Sequence, residues 1–204
     1  MKKTIDINQR IPLDTLDIAL RSYLDGSYSN EYILEQLSLS FDGENRLKKS
    51  LRIVNKIIPK NPIISILDNN KQALAPVLKR KTDRNIILIA LLNSAFPFSY
   101  DVLRFFGKFF SVQDVINADT IKKNISAIYG SNRATENGIY SVVPMFLEAG
   151  FFSRPSNGLY KFSETIVPSS KLSILIYEES FKKINKIDSL PEYQRSDPYF
   201  LFFE

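Results

Sequence analysis

Chemistry in this chain has to run on carboxylates, Lys, Tyr and Ser, because its 204 residues contain neither Cys nor His. That removes thiolate and imidazole zinc sites, Cys nucleophiles, the Ser-His-Asp triad and histidine acid-base catalysis. The carboxylates offer little in exchange. Asp14 and Asp17 share a helix face at i, i+3 and Glu178 adjoins Glu179, but neither pair has a Lys arranged as in metal-dependent nucleases, and no Glu-x-Lys triplet occurs. The seven glycines form no Gly-x-x-x-x-Gly-Lys-Ser/Thr loop and no Gly-x-Gly-x-x-Gly, so the backbone cradles that hold nucleotide phosphates are missing. The expectation is a non-catalytic protein without a cofactor or metal.

The cations are more informative. Net charge is only +5, yet from Asn45 to Arg84 eleven basic residues stand against two acidic ones, a local +9 that leaves the remainder at −4. Such asymmetry favours an acidic partner, nucleic acid being the commonest, and a solvated helix face is the plainer alternative of about equal weight.

These side chains must be positioned by helices. Asp14 or Thr15 caps a first one carrying Leu16, Ala19, Leu20, Tyr23 and Leu24, with Gly26 just past its end. Ser29 or Asn30 caps a second, with Ile33, Leu34 and Leu37. A third starts near Glu44 and ends before Pro62; its stripe of Leu47, Leu51, Val54 and Ile58 would face a core and turn Lys48, Lys49, Arg52 and Lys56 together towards solvent or a partner. Asn61-Pro62 and Asp68-Asn69-Asn70 read as turns around a short apolar piece. Thr82 or Asp83 opens a helix from Arg84 to about Ala95 that is apolar nearly all round, hence central and buried. Ser99 caps the next, where Phe105, Phe106, Phe109 and Phe110 crowd both sides as core or interface rather than as a base-stacking platform.

Further on, Ser111 and Asp114 read as the capping box of a short helix. Asp119 caps a helix with Ile121, Ile125 and Ile128, closed by Gly130. After Ser131-Asn132 a second helix begins by about Thr135, with Ile139, Val142, Val143, Phe146 and Leu147 inside and Gly150 at its end. Two helices joined by so short a Gly-containing turn make a helix-turn-helix. Phe151 to Arg154 and Leu159 to Phe162 then read as strands joined through Pro155-Ser156-Asn157-Gly158, in which Asn-Gly is a strong hairpin signal. Pro144 predicts a kink in the second helix, and Gly138 would permit close approach of a neighbour.

From Asp119 to Ser163 the chain resembles the winged-helix superfamily, on the pattern T-x-x-x-x-x-x-x-V-x-x-F-L-E-A-G-F-F-x-R followed by a turn and L-Y-K-F. The resemblance implies a recognition helix in the major groove of double-stranded DNA and a wing on the adjacent backbone. Asn132, Arg133, Thr135, Glu136, Asn137 and Ser141 would be its exposed set, with Arg133 suited to guanine O6/N7 and Asn137 to adenine N6/N7. Lys122, Lys123, Arg154 and Lys161 would serve phosphates. The layout as a whole, ENRLKKSLRIVNKI in a helical first half and FLEAGFF in the second, also resembles the BrxA family of BREX phage-defence components, which implies a place beside other defence proteins on DNA.

At the end of the sequence, Ser169 or Ser170 caps a helix with Leu172, Leu175, Ile176 and Phe181 inside; the tail from Pro198 to Phe203 is apolar enough to need its own domain or a partner chain as cover. Met1-Lys2-Lys3 opens as a secretion signal does, but Asp6, Asn8 and Arg10 interrupt it, and the longest clean apolar run, Ile86 to Leu92, has seven residues where a bilayer span needs about 20. With no cysteine, a cytoplasmic protein without membrane contact is expected. The reading is therefore a mainly α protein: helices over 1–96, a winged helix-turn-helix with a short β-hairpin wing over 97–163, and a closing helix and aromatic tail over 164–204. Its expected partner is double-stranded DNA. The competing reading is an assembly subunit that binds protein through the tail and the Phe-rich helix.

Overall fold

The structure is a computed structural model and describes residues 4–203, so the Met1-Lys2-Lys3 opening lies outside the described residues. At its centre runs α6 (Lys81–Ala95), buried at every position from Asn85 to Ala95. A helix that is apolar on all sides has to collect neighbours around it. α10 (Lys171–Asn185) lies along it, while α1 (Leu13–Asp25), α3 (Glu44–Ile57), α7 (Pro97–Phe110) and α9 (Arg133–Ala149) take the other sides. α2 (Asn30–Ser38) packs on α3. A small antiparallel sheet of β1 (Val115–Asn117), β2 (Ser153–Ser156) and β3 (Leu159–Lys161) has the order β1-β3-β2, and α8 (Ala118–Tyr129) follows β1 directly. The protein is mainly α, with one apolar cluster reaching from Ile7 to Phe202. Among the described residues no helix is long and apolar enough to cross a membrane.

Several local expectations give way to long-range partners. The short apolar piece after Asn61-Pro62 forms α4 (Ile64–Asn69), the turn expected at Asp68-Asn69-Asn70 falls at its end, and α5 (Lys71–Val77) follows, with Leu67, Leu74 and Val77 all drawn into the core. Asp83 does not cap α6. Fully buried, its Oδ1 accepts from the amides of Ser169 and Ser170 and from the Ser173 hydroxyl, so it holds the N-terminus of α10, where backbone donors and the helix dipole favour a negative charge. The first amide of α1 is met in the same manner: Leu13 N–H donates to Glu148 Oε1 of α9 at 2.9 Å, in place of a cap from Asp14 or Thr15. Ser99 is no cap either; Pro97 starts α7, and the buried Ser99 hydroxyl donates to Asn93 Oδ1. Ser111 ends α7, and the capping box expected with Asp114 is replaced by strand β1, whose partner β3 lies over forty residues on.

The tail from Pro198 to Phe203 is covered by its own chain. Tyr199 and Phe202 are fully buried, and Tyr199 stacks on Tyr177 of α10 with ring centroids 4.3 Å apart. The Tyr199 hydroxyl accepts from Asn93 and bonds Ser180, while Tyr177 donates to the Tyr199 carbonyl. Tyr177, not Leu175, is therefore the centre of the inner face of α10, and Leu175 is 43% exposed. Crossing α7, the tail comes so close that a Cβ on Gly107 would lie 1.9 Å from the Pro198 carbonyl oxygen. The Phe-rich helix is used likewise, since Phe98, Phe106 and Phe110 are buried and Phe106 stacks on Phe152 at 4.2 Å. Phe106, Phe110, Tyr199 and Phe202 are thus spent on the core, while Phe105, Phe109, Phe200 and Phe203 are half-buried.

Candidate nucleic-acid interface

The joint between α8 and α9 is closed by short-range hydrogen bonds. Asn117, not Asp119, caps α8, accepting from the Asp119 amide. Ile121 and Ile125 are buried, whereas Ile128, expected inside, is 42% exposed. Gly130 takes φ 94°, a left-handed value that costs glycine nothing and lets α8 stop abruptly. Asn132 then caps α9 by accepting from the Thr135 amide, and the Thr135 hydroxyl donates back to the Gly130 carbonyl at 2.6 Å. α9 continues through Pro144 to Ala149. Gly138 sits where a Cβ would be 2.7 Å from the Phe98 ring and 2.9 Å from Ile5, the close approach anticipated for it.

This geometry divides the expected exposed set of α9. Asn132, Arg133 and Asn137 are exposed and Glu136 is half-buried. Thr135 and Ser141 are corrections: both are buried, Thr135 locking the turn and Ser141 donating to the Asn137 carbonyl at 2.6 Å, so neither hydroxyl reaches outward. Their place is taken by Tyr140, 68% exposed. It stands seven residues after Arg133 and three after Asn137, on the same side of the helix, and that spacing was readable in the sequence.

On one flank of this stripe, Lys122 of α8 pairs with Glu136 of α9 at 2.7 Å, and the bond to that carboxylate raises the Lys122 pKa; Lys123 is exposed. Beyond them the hairpin of β2 and β3 turns at Asn157-Gly158, with Gly158 at φ 79°. Its first strand lies two residues later than expected, because Phe151 and Phe152 are buried in the core; Pro155 is tolerated since β2 is an edge strand. Arg154 is exposed and donates to Asn157 Oδ1 at 2.5 Å, and Lys161 is exposed at the end of β3. Beneath them Tyr160 is buried, and desolvation raises its phenol pKa. Glu136 and Tyr140 of α9 line one cleft with Tyr160 of β3 and Lys122 of α8, so the helix pair and the hairpin adjoin.

The second cationic surface is α3, and its inner face is turned from the expected stripe. Ser50, Ile53, Val54 and Ile57 are buried, while Leu47 and Leu51 are only half-buried. Lys48, Lys49 and Arg52 are exposed, Lys48 pairing with Glu44. Lys56, nearest the core, pairs with Asp6 and lies 4.3 Å above the centroid of the Phe96 ring. Since Ile5 reaches Gly138, residues 5 and 6 connect the end of α3 to the first half of α9.

Comparison with protein-family models, with curated proteins and with solved structures returns no match.

Proposed function

We propose that the protein is a non-catalytic, double-stranded DNA-binding protein of winged-helix type, with α9 as recognition helix and the β2–β3 hairpin as wing. One observation carries the reading: a helix pair closed by a locked turn leaves Arg133, Asn137 and Tyr140 outward on α9, beside a hairpin that carries Arg154 and Lys161. Arg and Asn are the side chains that make paired hydrogen bonds to guanine and adenine edges in the major groove. Lys123, Arg154 and Lys161 are suited to phosphates, which fix register without reading sequence. Asn132 and Thr135 act one step back, by fixing where α9 begins. A role beside other phage-defence proteins on DNA is part of the same proposal and rests on the sequence resemblance alone.

The test is fluorescence anisotropy of a mixed-sequence duplex at two salt concentrations. Affinity should fall steeply with salt, at about 0.9 log units per log unit for each phosphate neutralised. No binding at low salt would overturn the reading and favour an assembly subunit.

A further inference from the structure

Apart from α9 and its hairpin, the molecule has a cleft of about 410 Å³ along α3, lined by Lys48, Arg52, Lys56 and Lys60 with Asp6 and Phe96 beside them. Lys48, Arg52 and Lys56 recur at every fourth position of α3, where a rise of about 1.5 Å per residue sets neighbours about 6 Å apart along an oblique row, and Lys60 follows just past the end of the helix. Neither the aromatic ring nor the amide in the cleft is open to a base. Phe96 is covered by the Lys56 ammonium and is 1% exposed, so its face is closed to stacking. The Asn55 amide is already committed, donating to Asn30 and accepting from Tyr28. What remains is positive charge repeated along a line. A compact anion would meet one end of it, whereas a chain of phosphates would meet all of it. Among the described residues two cations of the row carry a carboxylate, Lys48 that of Glu44 from the first turn of its own helix and Lys56 that of Asp6 from outside it.

We propose that this cleft is a second site for the phosphodiester backbone of a nucleic acid, and that the Asp6 carboxylate is its resident competitor, seated on Lys56 where a phosphate would go. The inference rests on the nucleic-acid reading above but on a different surface. Asp6 and Lys56 have side chains 41% and 40% exposed, so their pair opens into water at little cost and a phosphate can replace the carboxylate. Release of Asp6 leaves Ile5 free to stay on Gly138, so the exchange requires no unfolding of the segment.

The experiment is the same duplex titration at two salt concentrations on the full chain, comparing wild type with Asp6→Asn, Asp6→Glu, and Asp6→Asn combined with Arg52→Ala and Lys60→Ala; a circular-dichroism melt checks that each variant folds. Asp6→Asn should bind about two- to fivefold more tightly, the range open to a half-exposed pair, with a salt slope steeper by about 0.9. Asp6→Glu should return to wild type, and the combined variant should lose the gain. Unchanged affinity and slope in Asp6→Asn, or a gain that survives loss of Arg52 and Lys60, would overturn the proposal. Poly-glutamate held as tightly as the duplex would overturn it in favour of an acidic protein partner. Should Arg133→Ala and Arg154→Ala leave binding intact while Asp6→Asn improves it, the α9 reading fails and the cleft stands.

Discussion

The two cationic surfaces differ in what accompanies their charge. On α3 the cations share one helix, with Glu44 and Asp6 as counterions and the Asn55 amide already hydrogen-bonded. On α9 and the hairpin the cations are fewer and come from three elements, but Asn137 and Tyr140 stand open between them. Charge alone confers affinity for any phosphate backbone; charge with free donors and acceptors at fixed positions also confers preference among sequences. On the proposed function, the same molecule separates holding from reading.

That separation can be broken at either end. The largest effect is expected from Arg133→Ala, which should cost about 1 to 3 kcal/mol at a preferred site and relax discrimination at one base pair, measured by competition among duplexes. A uniform loss across sequences would move Arg133 to the holding class. Next comes Gly138→Val, whose branched side chain must displace the Phe98 ring and Ile5; overpacking of this kind costs about 1 to 3 kcal/mol, seen as a lowered denaturation midpoint. Thr135→Val keeps the shape and removes the hydroxyl bond to Gly130, and should lower stability by about 1 kcal/mol in urea titration, with Thr135→Ser restoring most of it. The smallest change belongs to Lys49→Ala, which should weaken binding evenly across sequences and reduce the salt slope by about 0.9. A sequence-dependent loss there would erase the contrast between the surfaces.

What could be read from sequence was whatever is decided locally. α6 announced itself by unbroken apolarity, Ser29 by capping chemistry, and the hairpin turn by Asn-Gly. Several misses share one cause: a partner far along the chain outbid the local choice. β1 is three residues long and exists because β3 pairs with it. Asp83 had an ordinary cap position on α6 and was taken by α10, and Glu148 supplied the missing cap of α1. At the site, Arg133 and Asn137, implied by the winged-helix resemblance, are exposed, but Thr135 and Ser141 were lost to the backbone, because short hydroxyls bond to nearby carbonyls before they reach outward.

Asp83 has one more effect, on the mechanics of the molecule. It ties the start of α6 to the start of α10, while Asn185 at the far end of α10 donates to Tyr100 just beyond the end of α6, so the two helices run side by side in the same direction. The stretch from α7 to β3 is therefore spliced in with its entry at one end of α6 and its exit near the other, about 22 Å apart for a 15-residue helix. A unit anchored at two such separated points cannot swivel like a bead on a string. Torque applied to α9 by a bound duplex would be resisted along the whole length of the central rod, so any bending needed to engage both surfaces would fall on the nucleic acid.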